Sequence, residues 1–321
     1  MVPQNNIASV SVDLDALGCY WRIHALPGAP PENARHAVLR RCLPRFVDLF
    51  ARAGVKATFF VVGRDLTDDP TGRSSLAELA AEGHELASHT FSHPYDLVRL
   101  PRGEIADEID RAHDAVAACA GHAPVGFRAP GYEISAEVID ILCERSYRYD
   151  SSAFSSIPYY GAKAAVMAAM RLLGRPSGSI LGSPRALIAP IAPYHPAAAF
   201  PYRRGDLPIV ELPIAVTPRL RLPVIGTSII TAPPWLRRRM VAAAARQPFF
   251  NLELHGIDLA DAGPDGVPPE LIARQPDLRR SLASKREALA ATLAEIRAAG
   301  ATFTTLAQAA AMLPAPVNLR T

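Results

Sequence analysis

Cysteine is scarce in this chain of 321 residues: Cys19, Cys42, Cys119 and Cys143 are the only four, far apart and without a Cys-x-x-Cys spacing. That argues against a disulfide-stapled scaffold or a thiolate metal finger and for isolated thiols in a reducing compartment. Long apolar runs are missing too. No stretch approaches the ~18 residues that a spanning helix needs. The opening segment MVPQNNIASVSVDLD has no basic region followed by an apolar run, so no secretory leader is expected. The expected location is therefore cytoplasmic. A strong charge of one sign is also absent, the formal net charge being +3. Without a basic stripe interleaved by aromatics a nucleic-acid partner is not expected, and Arg237-Arg238-Arg239 reads as a solvated helix face. What remains is ordinary globular composition, 49% hydrophobic and 20% charged. It suffices to bury one barrel-sized core in a single domain over residues 1–321.

Apolar patterning alternates between two periods. Residues 7–14, 56–62, 84–88, 125–128, 147–150, 207–216, 249–254 and 302–305 read as short strands. Between them, 33–53, 74–82, 104–120, 136–144, 235–245 and 282–299 read as helices, with Gly54, Gly83 and Gly300 as stops and Ser135 as an N-cap. Strands alternating with helices argue for an α/β domain with a parallel sheet, and functional residues recurring at strand ends argue for a barrel. Residues 155–206 change character: proline and alanine dominate, tyrosines cluster at Tyr159, Tyr160, Tyr194 and Tyr202, and a helix is expected over 162–173. Such a long irregular piece inside a compact domain reads as an insertion or lid.

The chemistry sits at the strand ends. Asp13 and Asp15 stand in SVDLDAL, His89 and His93 in SHTFSHP, Arg128 in FRAPGY and His255 in FNLELHGID. Residues i and i+4 share one face of a helix or helical turn, so His89 and His93 can reach one ion together. With Asp15 they make the two-nitrogen, one-carboxylate shell of a catalytic divalent metal, zinc fitting best, with a position left open for water. Asp13, two residues away on the same strand, can take a proton from that water. A nearby Arg128 favours the ionised carboxylate, and His255 can protonate a departing amine. Glu211, inside an apolar run, is a candidate to tune the site by pairing with Arg128 or His255, and Asp150 at the end of its strand is a second one.

In this order the motifs resemble the polysaccharide deacetylase family (carbohydrate esterase family four), in the branch with Asp-x-Asp as its first motif. The resemblance implies a distorted, partly open (β/α)7 barrel. It implies Asp13 as base, Asp15, His89 and His93 as metal ligands, Arg128 as the residue that orients the base, and His255 as acid. The arginine motif runs on as Gly131-Tyr132, without tyrosine directly after proline, and these two are the candidate oxyanion and substrate contacts. The usual tryptophan-bearing motif is not evident. The implied activity is metal-dependent removal of an N-acetyl or N-formyl group from an amino sugar, a precursor or lipid-linked glycan. Tyr159 and Tyr160 would contact the substrate. AKAAVMAAMRLLGR and PPWLRRRMVAAAA mix apolar and basic residues in a way that suits peripheral membrane contact. Two other readings stand beside this: an allantoinase-like hydrolase of another C–N bond, and a non-catalytic metal- or sugar-binding barrel. The second would be expected to have lost Asp13, Arg128 or His255.

Overall fold

The computed structural model describes residues 6–313; the residues beyond, including the first five of the segment read above for a leader and the outer bounds of the 1–321 domain, lie outside the described part. The strands are β1 (Ile7–Asp13), β2 (Thr58–Val61), β3 (Glu85–Ser88), β4 (Gly126–Phe127), β5 (Tyr149–Asp150), β6 (Pro196–Ala197), β7 (Phe200–Arg204), β8 (Val210–Glu211), β9 (Phe249–His255) and β10 (Thr302–Phe303). All except β6 and β7 join one parallel sheet, in the order β9, β1, β2, β3, β4, β5, β8. The short β10 pairs with the start of β1, at Ile7 and Ala8, while β2 pairs with its end, so both lie on one edge of β1 and seven positions curl round. The result is a half-barrel of parallel strands with helices outside.

Its opening lies between β8 and β9. The strand expected over 207–216 shrinks to Val210–Glu211 because Pro208 and Pro213 flank it, and proline has no N–H for a ladder. Beyond Pro213 the chain only touches β9, through the Ala215 N–H donating to Asn251 O at 3.0 Å and a bridge between Ile225 and Glu253. The expected helix over 33–53 is likewise broken. Glu32–Arg35 is followed by a widened turn at Val38–Cys42, and a regular helix starts only at Leu43–Ala53. Pro44 supplies the reason, since it cannot donate to Arg40 O. That last helix buries Leu43, Phe46, Leu49 and Phe50 along one stripe and stops at the left-handed Gly54, as anticipated. Arg237 is also a correction: it is buried, donating to Glu295 Oε1 at 2.9 Å, and only its two neighbours face water.

The two faces of β1 are unlike. Ala8, Val10 and Val12 enter the main core beside Leu252 and Leu254, whereas Ser9, Ser11 and Asp13 alternate with them on the opposite face. That second face packs polar groups in place of a hydrocarbon layer. Ser11 Oγ donates to Asn251 Oδ1 at 3.0 Å, and Asn251 Nδ2 donates to Ser151 Oγ at 3.0 Å. Crowding further round the sheet makes Gly126 obligatory, because a Cβ there would lie 1.9 Å from Tyr149 Cζ. Gly126→Ala should cost stability by roughly 1–3 kcal/mol, the usual range for overpacking. It would be read as a lower urea midpoint at unchanged slope, and an unshifted midpoint would show that the ring moves away freely.

Candidate active site

Pairing of β1 with β9 sets Asp13 opposite His255 and Ser11 opposite Glu253. Asp15 follows β1 by two residues, His89 follows β3 directly, and Arg128 follows β4, so all converge at the carboxyl end of the sheet. Arg128 is fully buried; Asp13 balances its charge, and its other donors reach β1 and the residue after β5. Its Nη1 donates to Asp13 Oδ1 at 2.5 Å, its Nη2 to Ser11 Oγ at 3.0 Å and Ser151 Oγ at 2.9 Å, and its Nε to Ser151 O at 2.7 Å. Arg128 thus fixes one oxygen of Asp13 and leaves the other, Oδ2, 4.0 Å from His89 Nε2. Burial pushes the Asp13 carboxyl above its ordinary pKa; Arg128 and His89 only partly pull it back. The sign is opposite to that expected from the arginine alone.

The two histidines share no helical turn. Residues 89–93 form a loop in which Thr90 and His93 adopt left-handed φ of 62° and 57°. The loop is held from two sides. Thr90 Oγ1 accepts from the His93 N–H at 3.1 Å, and Glu108, on the helix Arg102–Ala120, accepts from Ser92 N–H at 2.8 Å and Ser92 Oγ at 2.7 Å. His89 Nδ1 lies 2.7 Å from Arg128 O, the geometry of an Nδ1–H donor, which turns the Nε2 lone pair inward. His89 Nε2 and His93 Nε2 each lie 3.2 Å from Asp15 Oδ1, all three side chains buried. Neither Asp15 Oδ1 nor His93 Nε2 has a hydrogen-bond partner. Orphaned buried acceptors are costly, and a converging N, N, O set is what a divalent cation would satisfy. Burial keeps His93 below the ordinary imidazole pKa and so neutral, as a ligand must be.

His255 has a partner that the sequence reading missed. Its Nδ1 lies 2.9 Å from Glu253 Oε1, and Glu253 is fully buried. Burial disfavours the imidazolium, but Glu253 outweighs it and holds the His255 pKa well above the ordinary value. Tyr132 OH donates to the same Glu253 oxygen at 3.1 Å and lies 3.3 Å from His255 Nε2. The signal was present in Asn251-Leu-Glu253-Leu-His255, three polar residues alternating on a strand that is otherwise apolar. Three site expectations change accordingly. Tyr132 spends its hydroxyl on Glu253 and its N–H on Ala129 O at 3.2 Å, so of the two oxyanion candidates only Gly131 keeps that assignment. Glu211 pairs with neither Arg128 nor His255. It lies beside Asp150 in the β5–β8 register and accepts from Ala153 N–H at 2.9 Å, while Asp150 accepts from Ser152 Oγ at 2.7 Å. The pair anchors the chain after β5. Tyr160 packs into the core against Phe154 and stays outside the cavity.

The cavity itself, about 360 Å³, has Asp13, Asp15, His89, Gly131 and His255 at its floor. Its opposite wall comes from the insertion: Tyr159, Lys163, Met167 and Met170 on the helix Ile157–Leu172. A buried acid next to the arginine motif ties this insertion down. Glu133 Oε2 accepts from Ser183 N–H at 3.3 Å, and a Cβ on Gly182 would fall 1.4 Å from that oxygen. Burial pushes Glu133 up to about 7, against the pull of Lys163.

A parallel half-barrel with a carboxylate–imidazole cluster at the carboxyl ends of its strands defines the class, a (β/α)7 barrel of the deacetylase type. The family model of the polysaccharide deacetylases matches residues 36–149 of this chain. Among curated proteins it is 39% identical over 90 residues to a chitooligosaccharide deacetylase of Bradyrhizobium sp., covering 28% of this chain and 39% of that one. It is 24% identical over 157 residues to a peptidoglycan deacetylase of Helicobacter pylori, covering 48% and 52%. The matches therefore span about half or less of these relatives' length. A structure described as a polysaccharide deacetylase candidate of Mycobacterium smegmatis superposes with a TM-score of 0.62 at 19% identity, covering 100% of this chain and 96% of that one, and shares the fold.

Proposed function

We propose that the protein is a metal-dependent hydrolase that removes an N-acyl group, acetyl or formyl, from an amino sugar. One observation carries the reading. At one cavity, the orphaned Asp15–His89–His93 cluster meets the Asp13–Arg128 pair, and Asp13 in turn adjoins the Glu253–His255 pair on the neighbouring strand. Asp15, His89 and His93 would hold one divalent ion, zinc fitting the donor set best, and that ion would supply Lewis-acid polarisation and lower the pKa of water. Asp13 accepts the proton of the attacking water through Oδ2, the oxygen that Arg128 leaves free. Gly131 lends its backbone amide to the developing oxyanion. His255, kept protonated by Glu253, delivers a proton to the departing amine, which is otherwise a poor leaving group. Names of relatives that act on chitooligosaccharide or peptidoglycan support an acylated amino sugar as substrate. The apolar wall of Met167 and Met170 suits a lipid-linked form of it, with the 155–206 insertion serving as a lid that chooses the substrate.

The test pairs product analysis with metal analysis. Zinc-loaded protein should release acetate or formate, with a free amine, from N-acylated glucosamine oligomers or lipid-linked N-acyl sugars. About one metal per chain is expected, falling to background in His89→Ala/His93→Ala. Release from allantoin alone would move the assignment to another C–N bond, and metal content unchanged in the double variant would remove the ligand assignment.

A further inference from the structure

Large apolar side chains stand in water mainly on the insertion. Leu172 is 89% exposed, Leu173 77%, Ile188 63% and Ile157 56%, with Leu181 and Phe200 at 41%. Scattered exposed apolar groups are normal, but a concentration on one segment marks a contact surface. The same segment is strongly basic. Lys163, Arg171, Arg175, Arg185, Arg203 and Arg204 face a single acid, Asp206, so residues 155–206 carry +5 while the rest of the chain, from the total of +3, carries −2. The two features interleave: Arg171 and Arg175 bracket Leu172-Leu173 at the end of the helix, and the Arg185 guanidinium stacks 4.8 Å from the Phe200 ring centroid.

We propose that this surface seats on an anionic lipid bilayer, with Leu172 and Leu173 entering the interface and the arginines meeting lipid phosphates. The inference deepens the lipid-linked reading of the substrate and rests on it for its purpose, though not for its measurement. Charge chooses the occupant. A second copy of the chain would bring the same positive patch against itself, and a two-fold contact would oppose like charges. An anionic bilayer supplies both the complementary sign and an apolar layer for two protruding leucines. Geometry gives the contact a use, because Met167 and Met170 line the cavity on the same helix that ends at Leu172. A tip seated in the headgroups opens the cavity at the depth where a sugar on a lipid carrier resides.

Co-sedimentation of the full chain with vesicles tests this. Binding is expected with phosphatidylcholine mixed with phosphatidylglycerol, weakly with phosphatidylcholine alone, and less as salt rises. Leu172→Ser/Leu173→Ser and Arg171→Ser/Arg175→Ser should each weaken binding by about tenfold or more. Thermal melts and hydrolysis of a small soluble acyl ester should stay unchanged in both. No association of the wild-type chain with the mixed vesicles overturns the proposal, as does equal association by wild type and both variants. A wild-type dimer in sedimentation equilibrium that both variants lose would assign the patch to a second copy. Vesicle binding without acyl release would sink the hydrolase reading alone, and acyl release from soluble oligomers without vesicle binding would sink this one alone.

Discussion

Asp13→Asn should lower turnover of an N-acyl amino sugar by about 10²–10⁴-fold, the range for a lost general base, and leave the metal content at its wild-type level. The asparagine keeps the shape of the side chain, and its carbonyl oxygen can still accept from Arg128 Nη1. What disappears is a basic oxygen at the free position, 4.0 Å from His89 Nε2. Asp15→Asn should behave differently, losing metal and turnover together, because Asp15 Oδ1 is the point on which both imidazoles converge at 3.2 Å. Kinetics and elemental analysis on the two variants separate base from ligand. Wild-type turnover in Asp13→Asn would mean that the proton leaves by another route.

The second large effect concerns His255, on the strand beside Asp13. His255→Ala should slow amide hydrolysis by about 10²–10⁴-fold, and much less for an activated ester, whose leaving group departs without a proton. Glu253→Gln is the finer probe. Glu253 raises the His255 pKa, so the acid form persists to high pH in the native chain. Removing that carboxylate lets burial dominate, the pKa falls, and the imidazolium is lost earlier as pH rises. The alkaline limb of kcat/KM for the amide should therefore move to lower pH in Glu253→Gln, while the acid limb, set by other groups, stays in place. An alkaline limb that does not move would leave His255 without the role of proton donor.

How far the fold could be read in advance differs by element. Residues 56–62 were legible because a buried parallel strand has a continuous apolar signature, and Ser135 because a serine ahead of an amphipathic run is a local signal: its Oγ caps Val138 N–H at 3.2 Å as expected. Spacing alone misled at His89 and His93. An i, i+4 pair converges on a helix, but a loop with two left-handed residues brings it together equally well, and the clamp that shapes this loop, Glu108, lies in a different helix. Partners across the sheet were out of reach for the same reason. Glu211 stood in an apolar run, yet its register against Asp150 depends on a strand about sixty residues earlier. Glu253 was closer to legible, being two residues from His255 on one strand face. Tyr159 and Tyr160 show the limit of composition: adjacent on a helix, one lines the cavity and the other enters the core.

Glu133 bears on how such an insertion can be exchanged. The barrel side presents a buried carboxylate whose counterpart is backbone, the N–H of Ser183, beside a glycine where any side chain would collide. A socket that reads main chain accepts many sequences. A segment grafted between residues 155 and 206 must offer amides and a glycine at that point, and match the few other ties to the barrel, such as the Tyr202 hydroxyl that accepts from Ile134 N–H at 3.1 Å. A lid of this kind could then be exchanged as a cassette, while Arg128, bonded to Asp13, Ser11 and Ser151 rather than to the insertion, keeps the strand-end cluster in register.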